Sequence, residues 1–409
     1  MNAEIIGVGT ELLLGQIANT NAQHISQSLA RVGIDVYRHS VVGDNLERMT
    51  ELISEALERA DVLIVTGGLG PTPDDITRDA ISAAVGRPLV RHDKLVAQLR
   101  SFFASRGRDM PDTNLRQAEI PYGAVVIEPE GTAPGFHIEL GPHLLIALPG
   151  VPWEMKEMLS KRVIPLLTAR TPDAATMSRE ILVVGLGESH THRQIADLVE
   201  RQSNPTIAYL AGHGLVRVRV TAKAATTDAA LARIEPVECE IRSRLGEAAV
   251  PGHGSLPQIV GDLLRARSAT VATAESLTGG LIGAALTEAD GSSDFFTGAA
   301  VVYSTTAKSS VLNVPDDVLE TYGPVSAESA THMAQGAASL FDADLGISAT
   351  GVAGPADHDG EPPGTIYVGA SWRGVAEARL VRGYGDRANV RGIAVTSALD
   401  FARRVLGRR

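Results

Sequence analysis

Short apolar runs that stop abruptly at a glycine or a small polar residue punctuate this sequence. They are EIIGVG near the start, DVLIVTGG at 61–68, HLLIALPG at 143–150, and SATVATAES, GAAVVYS and LGISAT further on. Runs of this length, rich in branched residues and without polar alternation, fit strands covered on both faces. Between them, ANTNAQHISQSLARVG and LERMTELISEALERA carry apolar residues at three- and four-residue spacing, the pattern of amphipathic helices. Strands that alternate with helices are joined as right-handed parallel βαβ units. The expected fold class is therefore α/β.

A chain of 409 residues is expected to form two or three domains. Composition turns small and polar at TARTPDAATMS (168–178) and again at VPGHGSLP (250–257), which divides the chain at 1–168, 169–252 and 253–409. The middle segment reads strand, helix, two strands, helix, a small α+β module. The third returns to the α/β pattern. A net charge of -11 argues against nucleic acid or an anionic membrane as partner, since both need a basic surface. Two tryptophans and seven phenylalanines are too few for a base-stacking platform. The single cysteine, Cys239, excludes an intrachain disulfide framework, and its helical surroundings mark it as packing filler. The first residues, MNAEIIGVG, lack a basic leader, and no run approaches the roughly 18 apolar residues that cross a bilayer. The expected location is the cytoplasm.

The stretch TAESLTGG (273–280) places one hydroxyl, Ser276, at a strand-to-helix turn. Open parallel sheets gather their sites beyond the carboxyl ends of the strands. The groups gathered there are Ser276, then Tyr303 and Lys308 from VVYSTTAK, then Thr350 and Gly351 from SATGVAGP. The stretch holds no histidine, but a desolvated lysine loses its proton near neutral pH and serves as a base. Ser–Lys pairs are a variant of the catalytic triad. Lys308 is thus the candidate base, Tyr303 a hydroxyl that relays a proton or orients the amine, and the helix start after Ser276 a source of oxyanion donors. On the residues alone, a helix-capping serine and a surface lysine stay open as the alternative.

TAESLTGG, GSSDFFTGAAVVYSTTAK, GPVSAESA, SATGVAGP and GDRANVR, in this order over about 150 residues, resemble the C-terminal domain of the competence/damage-inducible CinA family. That domain is similar to nicotinamide-nucleotide amidohydrolases. The resemblance implies hydrolysis of the carboxamide of nicotinamide mononucleotide (NMN) to nicotinate mononucleotide and ammonia, with no cofactor. It gives Ser276 the acyl-enzyme, Lys308 the role of base, Tyr303 an assisting role, and Thr350 a place near the reacting group. Glu275, Thr278, Gly279, Gly280 and Gly351 would surround the substrate. Arg387 and Arg391 of GDRANVR would hold its phosphate, because guanidinium forks match phosphate; exposed arginines at a helix start are the alternative. One block departs from the family: the loop ADHDGEPPG (356–364) is acidic where a lysine-containing glycine loop is usual.

TGGLGPTPDDIT (66–77) follows the buried run DVLIV. Glycines at a strand end let the backbone approach a phosphate, and Asp74 and Asp75 offer carboxylates to Mg²⁺ or another divalent cation. It is neither a Walker A loop nor a GxGxxG fingerprint, and a turn with a capping aspartate is the alternative. With GVGTELLLGQIANTNA (7–22) and GTAPGF (131–136), the block resembles MogA/MoaB-type molybdopterin-binding domains and the N-terminal domain of CinA proteins. The resemblance implies a metal-dependent ADP-ribose pyrophosphatase. Its site would comprise Thr10, Glu11, Asn19, Asn21, Asp44, Gly67, Gly68 and Gly70, with Asp75 for metal or catalysis. Molybdopterin binding without turnover is the alternative. PGVPWEM (149–155) places the bulky Trp153 where the family has a small residue.

The middle module resembles the KH-like module of CinA proteins but lacks a basic GxxG loop, so RNA clamping is not expected. It reads as an interdomain or dimerisation element, and a homodimer is expected. His190 and His192 in ESHTH are read as surface positions of a helix rather than metal ligands.

Overall fold

The computed structural model describes residues 1–170 and 175–408. The chain divides into two compact units, Met1–Met177 with Lys223–Leu231, and Ser178–Ala222 with Ala232–Arg409. Part of the boundary expected at 168–178 lies outside the described residues.

In the first unit the strands are β1 (Asn2–Val8), β2 (Asp35–Val42), β3 (Val62–Thr66), β4 (Leu89–Arg91), β5 (Glu119–Pro121), β6 (Val125–Ile127), β7 (Gly135–Leu140) and β8 (His143–Leu148). Six of them form one sheet in the order β2-β1-β3-β8-β7-β6, and β4 pairs with β5. The neighbours β2, β1, β3 and β8 run parallel, as the alternating pattern requires. The edge departs from the all-parallel expectation: β7 is antiparallel to both β8 and β6. Only Gly141 and Pro142 separate β7 from β8, far too short for a crossover helix, so the chain turns back as a hairpin.

Strand alternation sends the side chains of β3 to two cores. Ile64 packs with Ile5, Ile146, Ile25 and Leu29 on one face, and Leu63 and Val65 pack with Met49, Ile53 and Ala80 on the other. The helix Leu46–Arg59 presents Met49, Ile53 and Ala56 along its inner stripe, and Asn45 caps it by accepting from the Arg48 N–H at 3.0 Å. Met49 and Ile53, both fully buried, each contribute about 1.5–3 kcal/mol.

Mostly within the second unit, β9 (Ala175–Val184), β10 (Thr206–Gly212) and β11 (Leu215–Ala224) form a sheet in the order β10-β11-β9. With the helices Glu188–Glu200 and Thr227–Leu245 they give the expected strand–helix–strand–strand–helix order. Cys239 is not packing filler: it is exposed. The helix Thr227–Leu245 turns Ile234, Glu238, Ile241 and Leu245 inward, and Cys239 lies one residue, or about 100°, past that stripe.

The same unit holds β12 (Val271–Glu275), β13 (Phe296–Val301), β14 (Leu345–Gly351), β15 (Thr365–Trp372) and β16 (Val375–Arg382), in the order β13-β12-β14-β15-β16. The first three are parallel, and β15 and β16 are antiparallel additions. β12 is buried along its whole length, whereas β13, expected to be buried, is an edge strand with alternate residues in solvent. Val271 and Ile347 pack against Leu264 and Leu406 on one face, and Ala272 and Ala274 against Met333 and Ala337 on the other. Among the described residues no helix is long and apolar enough to cross a membrane.

Candidate active site

The central strand β12 delivers the TAESLTGG turn to the carboxyl edge of its sheet. Gly279 and Gly280 sit at φ +63° and +98°, which only glycine adopts without strain, and the helix Leu281–Thr287 follows. Glu275, the last residue of β12, is fully buried. Its carboxylate accepts from the N–H groups of Gly280 (2.9 Å), Ile282 (3.0 Å) and Gly283 (2.8 Å) and from Thr273 Oγ1 (3.1 Å). The chain thus supplies its own anion to the start of this helix. This corrects part of the expectation that the helix start donates to an oxyanion, because the Ile282 and Gly283 N–H groups are already taken.

Beyond the turn lies a cavity of about 290 Å³ that Ser276, Tyr303, Lys308, Gly351, His358 and Arg387 help to line. Ser276 is 8% exposed. Its N–H donates to Ala349 O at 3.0 Å, which locks β12 to β14 at the site, and its Oγ bonds to no described residue. Lys308 lies in the helix Thr305–Leu312, capped by Ser304, and is 2% exposed. Its Nζ donates to Pro324 O and to Thr350 Oγ1, the latter at 2.8 Å, and Thr350 Oγ1 donates to Pro324 O at 2.7 Å. Burial pulls the Lys308 amine down from its ordinary range to about 8, and the negative charge of Asp359 opposes part of that fall.

Ser276, Lys308, Tyr303 and Gly351 line one cavity, and Thr350 reaches it through the Lys308 amine. Lys308, the candidate base, makes no hydrogen bond to Ser276; its amine is turned to Pro324 and Thr350 instead. Tyr303 is 62% exposed, and its hydroxyl accepts from Arg387 Nη2 at 3.0 Å rather than meeting the lysine. Arg387 also donates to Gly354 O at 3.0 Å. Glu275 and Thr278 are fully buried and, with Gly279, Gly280 and Arg391, stand outside the lining. Arg391 donates from Nε to Leu277 O (2.9 Å) and from Nη2 to Thr278 O (2.7 Å).

The acidic loop borders the cavity: Asp357 and His358 line it, and His358 Nε2 lies 3.4 Å from Asp359 Oδ2. His358 is the imidazole that sequence reasoning missed. It is distant from Ser276 along the chain, and its signal was its place just after the SATGVAGP strand end. His253, the histidine nearest to Ser276 in sequence, lies by Glu238 and does not line the cavity.

In the first unit the ends of β1, β3 and β8 converge. A Cβ on Gly67 would stand 2.4 Å from Val8 O, and one on Gly150 would stand 3.3 Å from the Gly67 Cα. Glu11, Asn19, Asn21, Thr66 and Gly150 help to line a cavity of about 120 Å³ here. Asn21 Nδ2 donates to Gly150 O at 2.8 Å, and Asn19 caps the helix Thr20–Arg31 by accepting from the Ala22 N–H at 3.1 Å. Thr10 and Asp44 pair with each other, Oγ1 to Oδ2, at 2.8 Å. In the glycine-rich turn, Asp75 Oδ2 accepts from the Thr72 N–H (2.8 Å) and from its hydroxyl, and a Cβ on Gly70 would meet that same oxygen at 2.4 Å. Buried Arg78 ties Leu69 O (2.6 Å) and Gly70 O (2.7 Å), and Thr77 Oγ1 ties Gly67 O (2.8 Å). With these carbonyls held inward, the N–H groups of Gly68, Leu69 and Gly70 have no acceptor among the described residues. Asp74, beside Asp75, has its carboxyl held below the ordinary value by the Thr72 hydrogen bond. Trp153 is 54% exposed and stands outside the cavity.

No group of three or more histidine, cysteine or acidic side chains is placed to hold a metal ion among the described residues. His190 and His192 are exposed on their helix, as expected. The donors at the glycine turn fit an ion such as Mg²⁺ that takes one or two carboxylates, Asp75 and Asp74, together with substrate phosphates.

Three family models match the chain in succession: "Probable molybdopterin binding domain" over residues 4–169, "Damage-inducible protein CinA KH domain" over 178–250 and "CinA C-terminal domain" over 253–406. A CinA-like protein of Dictyoglomus thermophilum is 44% identical over 409 residues, 99% of either chain. Among solved structures, the protein CinA of Thermoplasma acidophilum is 36% identical, covering 40% of this chain and 99% of that one, with a TM-score of 0.38. Competence damage-inducible protein A of Klebsiella pneumoniae is 33% identical, covering 38% and 97%, with a TM-score of 0.37. With three domain matches in register and a relative alike from end to end, the chain belongs to the CinA family.

Proposed function

We propose that the C-terminal domain hydrolyses the carboxamide of nicotinamide mononucleotide through Ser276 and Lys308. The observation that carries this is a buried lysine lining the same cavity as an unbonded serine hydroxyl. A neutral amine has two N–H donors and one lone pair. Pro324 O and Thr350 Oγ1 take the two donors and so fix the direction in which the lone pair points. Substrate binding brings the serine within its reach, since apo hydrogen bonds of this kind tighten in the complex.

Ser276 Oγ attacks the amide carbon, its proton passes to Lys308 Nζ, and the carbonyl π pair moves to oxygen. The tetrahedral adduct collapses, the C–N bond breaks, and Lys308 returns the proton to the departing ammonia. Water then attacks the acyl-serine ester, giving the carboxylate and regenerating Ser276. Arg387, bridging Gly354 and Tyr303 at the cavity wall, is suited to the substrate phosphate.

For the N-terminal domain the outward N–H groups of Gly68, Leu69 and Gly70 support a pyrophosphate site, and we propose a Mg²⁺-dependent ADP-ribose pyrophosphatase there. When bound, the ion would be held by Asp75 and would offset charge on the phosphates. Binding of a molybdopterin-like ligand without turnover is the second possibility, favoured by the lack of a third metal-ligating side chain among the described residues. Both activities imply small nucleotides rather than nucleic acid as partners, and we propose a homodimer. Incubating the pure protein with NMN and with ADP-ribose, with and without Mg²⁺, tests all of this by its products. Ammonia with nicotinate mononucleotide supports the first activity, and AMP with ribose phosphate the second. Unchanged NMN removes the deamidase.

A further inference from the structure

The helix Leu281–Thr287 turns its Ile282 and Gly283 N–H groups to Glu275, and Leu281 does not line the cavity. The turn itself offers an alternative oxyanion donor. Ser276 O accepts from the Gly279 N–H at 3.1 Å, and Arg391 takes Leu277 O and Thr278 O. In a planar trans peptide the N–H points opposite to the C=O. Holding Ser276 O inside the turn therefore directs the Leu277 N–H outward, and holding Leu277 O on Arg391 directs the Thr278 N–H away from the arginine. Neither N–H has an acceptor among the described residues, and Ser276 and Leu277 both line the cavity. Arg391 reaches this turn across 114 residues of sequence and anchors two successive carbonyls with one rigid fork.

We propose that Arg391 is a positioning residue rather than a phosphate ligand, holding the 276–279 turn so that the Leu277 N–H, at the cavity wall, receives the oxyanion formed when Ser276 is acylated. The proposal rests on Ser276 being a nucleophile. Its chemical class of ligand is any tetrahedral oxyanion attached to the serine oxygen, so it is tested with two amides and one probe that is not an amide.

Arg391→Lys and Arg391→Ala are compared with the wild type on NMN, on nicotinamide riboside, which has the same amide and no phosphate, and on a fluorophosphonate that labels activated serines. Arg391→Lys keeps the charge and loses the fork. In both variants kcat should fall by about 100-fold, as expected for a displaced catalytic group. KM should stay within about twofold. The same factor should appear with the riboside and in the rate of Ser276 labelling, and added guanidinium should restore part of the Arg391→Ala rate. A rise in KM confined to NMN would make Arg391 a phosphate ligand and overturn the proposal. So would labelling of either variant at the wild-type rate. If Arg391→Ala fails to fold, the Arg391→Lys comparison decides by the same criteria. A wild type that labels at Ser276 but leaves NMN intact would sink the substrate assignment alone, with the labelling rates still deciding the role of Arg391.

Discussion

Lys308 Nζ and Thr350 Oγ1 are 2.8 Å apart, joined from positions 42 residues distant in sequence. Together with Pro324 O, that hydroxyl fixes a buried amine in one orientation, and burial lowers its proton affinity to about 8. As a base the amine must be neutral, so the NMN deamidase rate should rise with pH and level off above about 8. Lys308→Ala should remove at least about 100-fold of kcat. His358→Gln should leave the rate within a few-fold; if it instead abolishes ammonia release while Lys308→Ala does not, the histidine is the base.

Stability should follow the same titration. The folded-state value, about 8, lies below the ordinary 10.5, so between these values the unfolded chain binds the extra proton. The contribution of Lys308 to folding should therefore improve as pH rises through that window and be worst below it. Lys308→Met, which removes the buried amine together with its two hydrogen bonds, should be about 1–2 kcal/mol more stable than wild type at pH 7. The difference should shrink toward pH 10, as read by denaturant melts.

Glu275→Gln should be costly although the side chains have the same shape. The amide cannot accept on both heads, so either the Gly283 N–H or the Gly280 and Ile282 N–H groups lose their acceptor in a fully buried site. A loss of about 2–4 kcal/mol is expected, measured by chemical denaturation. A variant as stable as wild type would show that this carboxylate does not anchor the helix.

Arg387 and Arg391 should separate kinetically. Arg387 lines the cavity, so Arg387→Ala should raise KM for NMN about tenfold or more and leave the phosphate-free riboside nearly unaffected. Equal losses on both substrates would place the phosphate elsewhere. Tyr303→Phe, which removes only the acceptor at 3.0 Å from Arg387, should produce a smaller rise of the same kind.

Asp75→Asn should abolish metal-stimulated cleavage of ADP-ribose and leave NMN deamidation unchanged, because the two sites lie in different compact units. The same mutant weakens the link from Asp75 to Thr72 that shapes the turn. A Gly70→Ala variant, whose Cβ would sit 2.4 Å from Asp75 Oδ2, should reproduce the loss. Full pyrophosphatase activity in Asp75→Asn would remove that carboxylate from the mechanism.

Local sequence determined the elements and the edge of the sheet on which a site forms. Within the runs DVLIV and SATVATA, Val62–Val65 and Val271–Ala274 are strand because nothing there faces water, and the glycines after them permit the turns. The same logic brought Ser276, Tyr303, Lys308 and Gly351 to one cavity. It could not decide where a donor or acceptor points, since that depends on which remote group arrives first. Glu275 faces its own helix and Arg391 grips the turn from a helix more than a hundred residues away. His358 reaches the cavity on a loop with no periodicity to announce it. Cys239 missed the core by one residue of helical phase, which depends on where the neighbouring sheet lies. Hydrophobic pattern is a local property that survives in the sequence. The direction of a hydrogen bond and the desolvation of an amine are properties of the packed chain, and only the tertiary structure decided them.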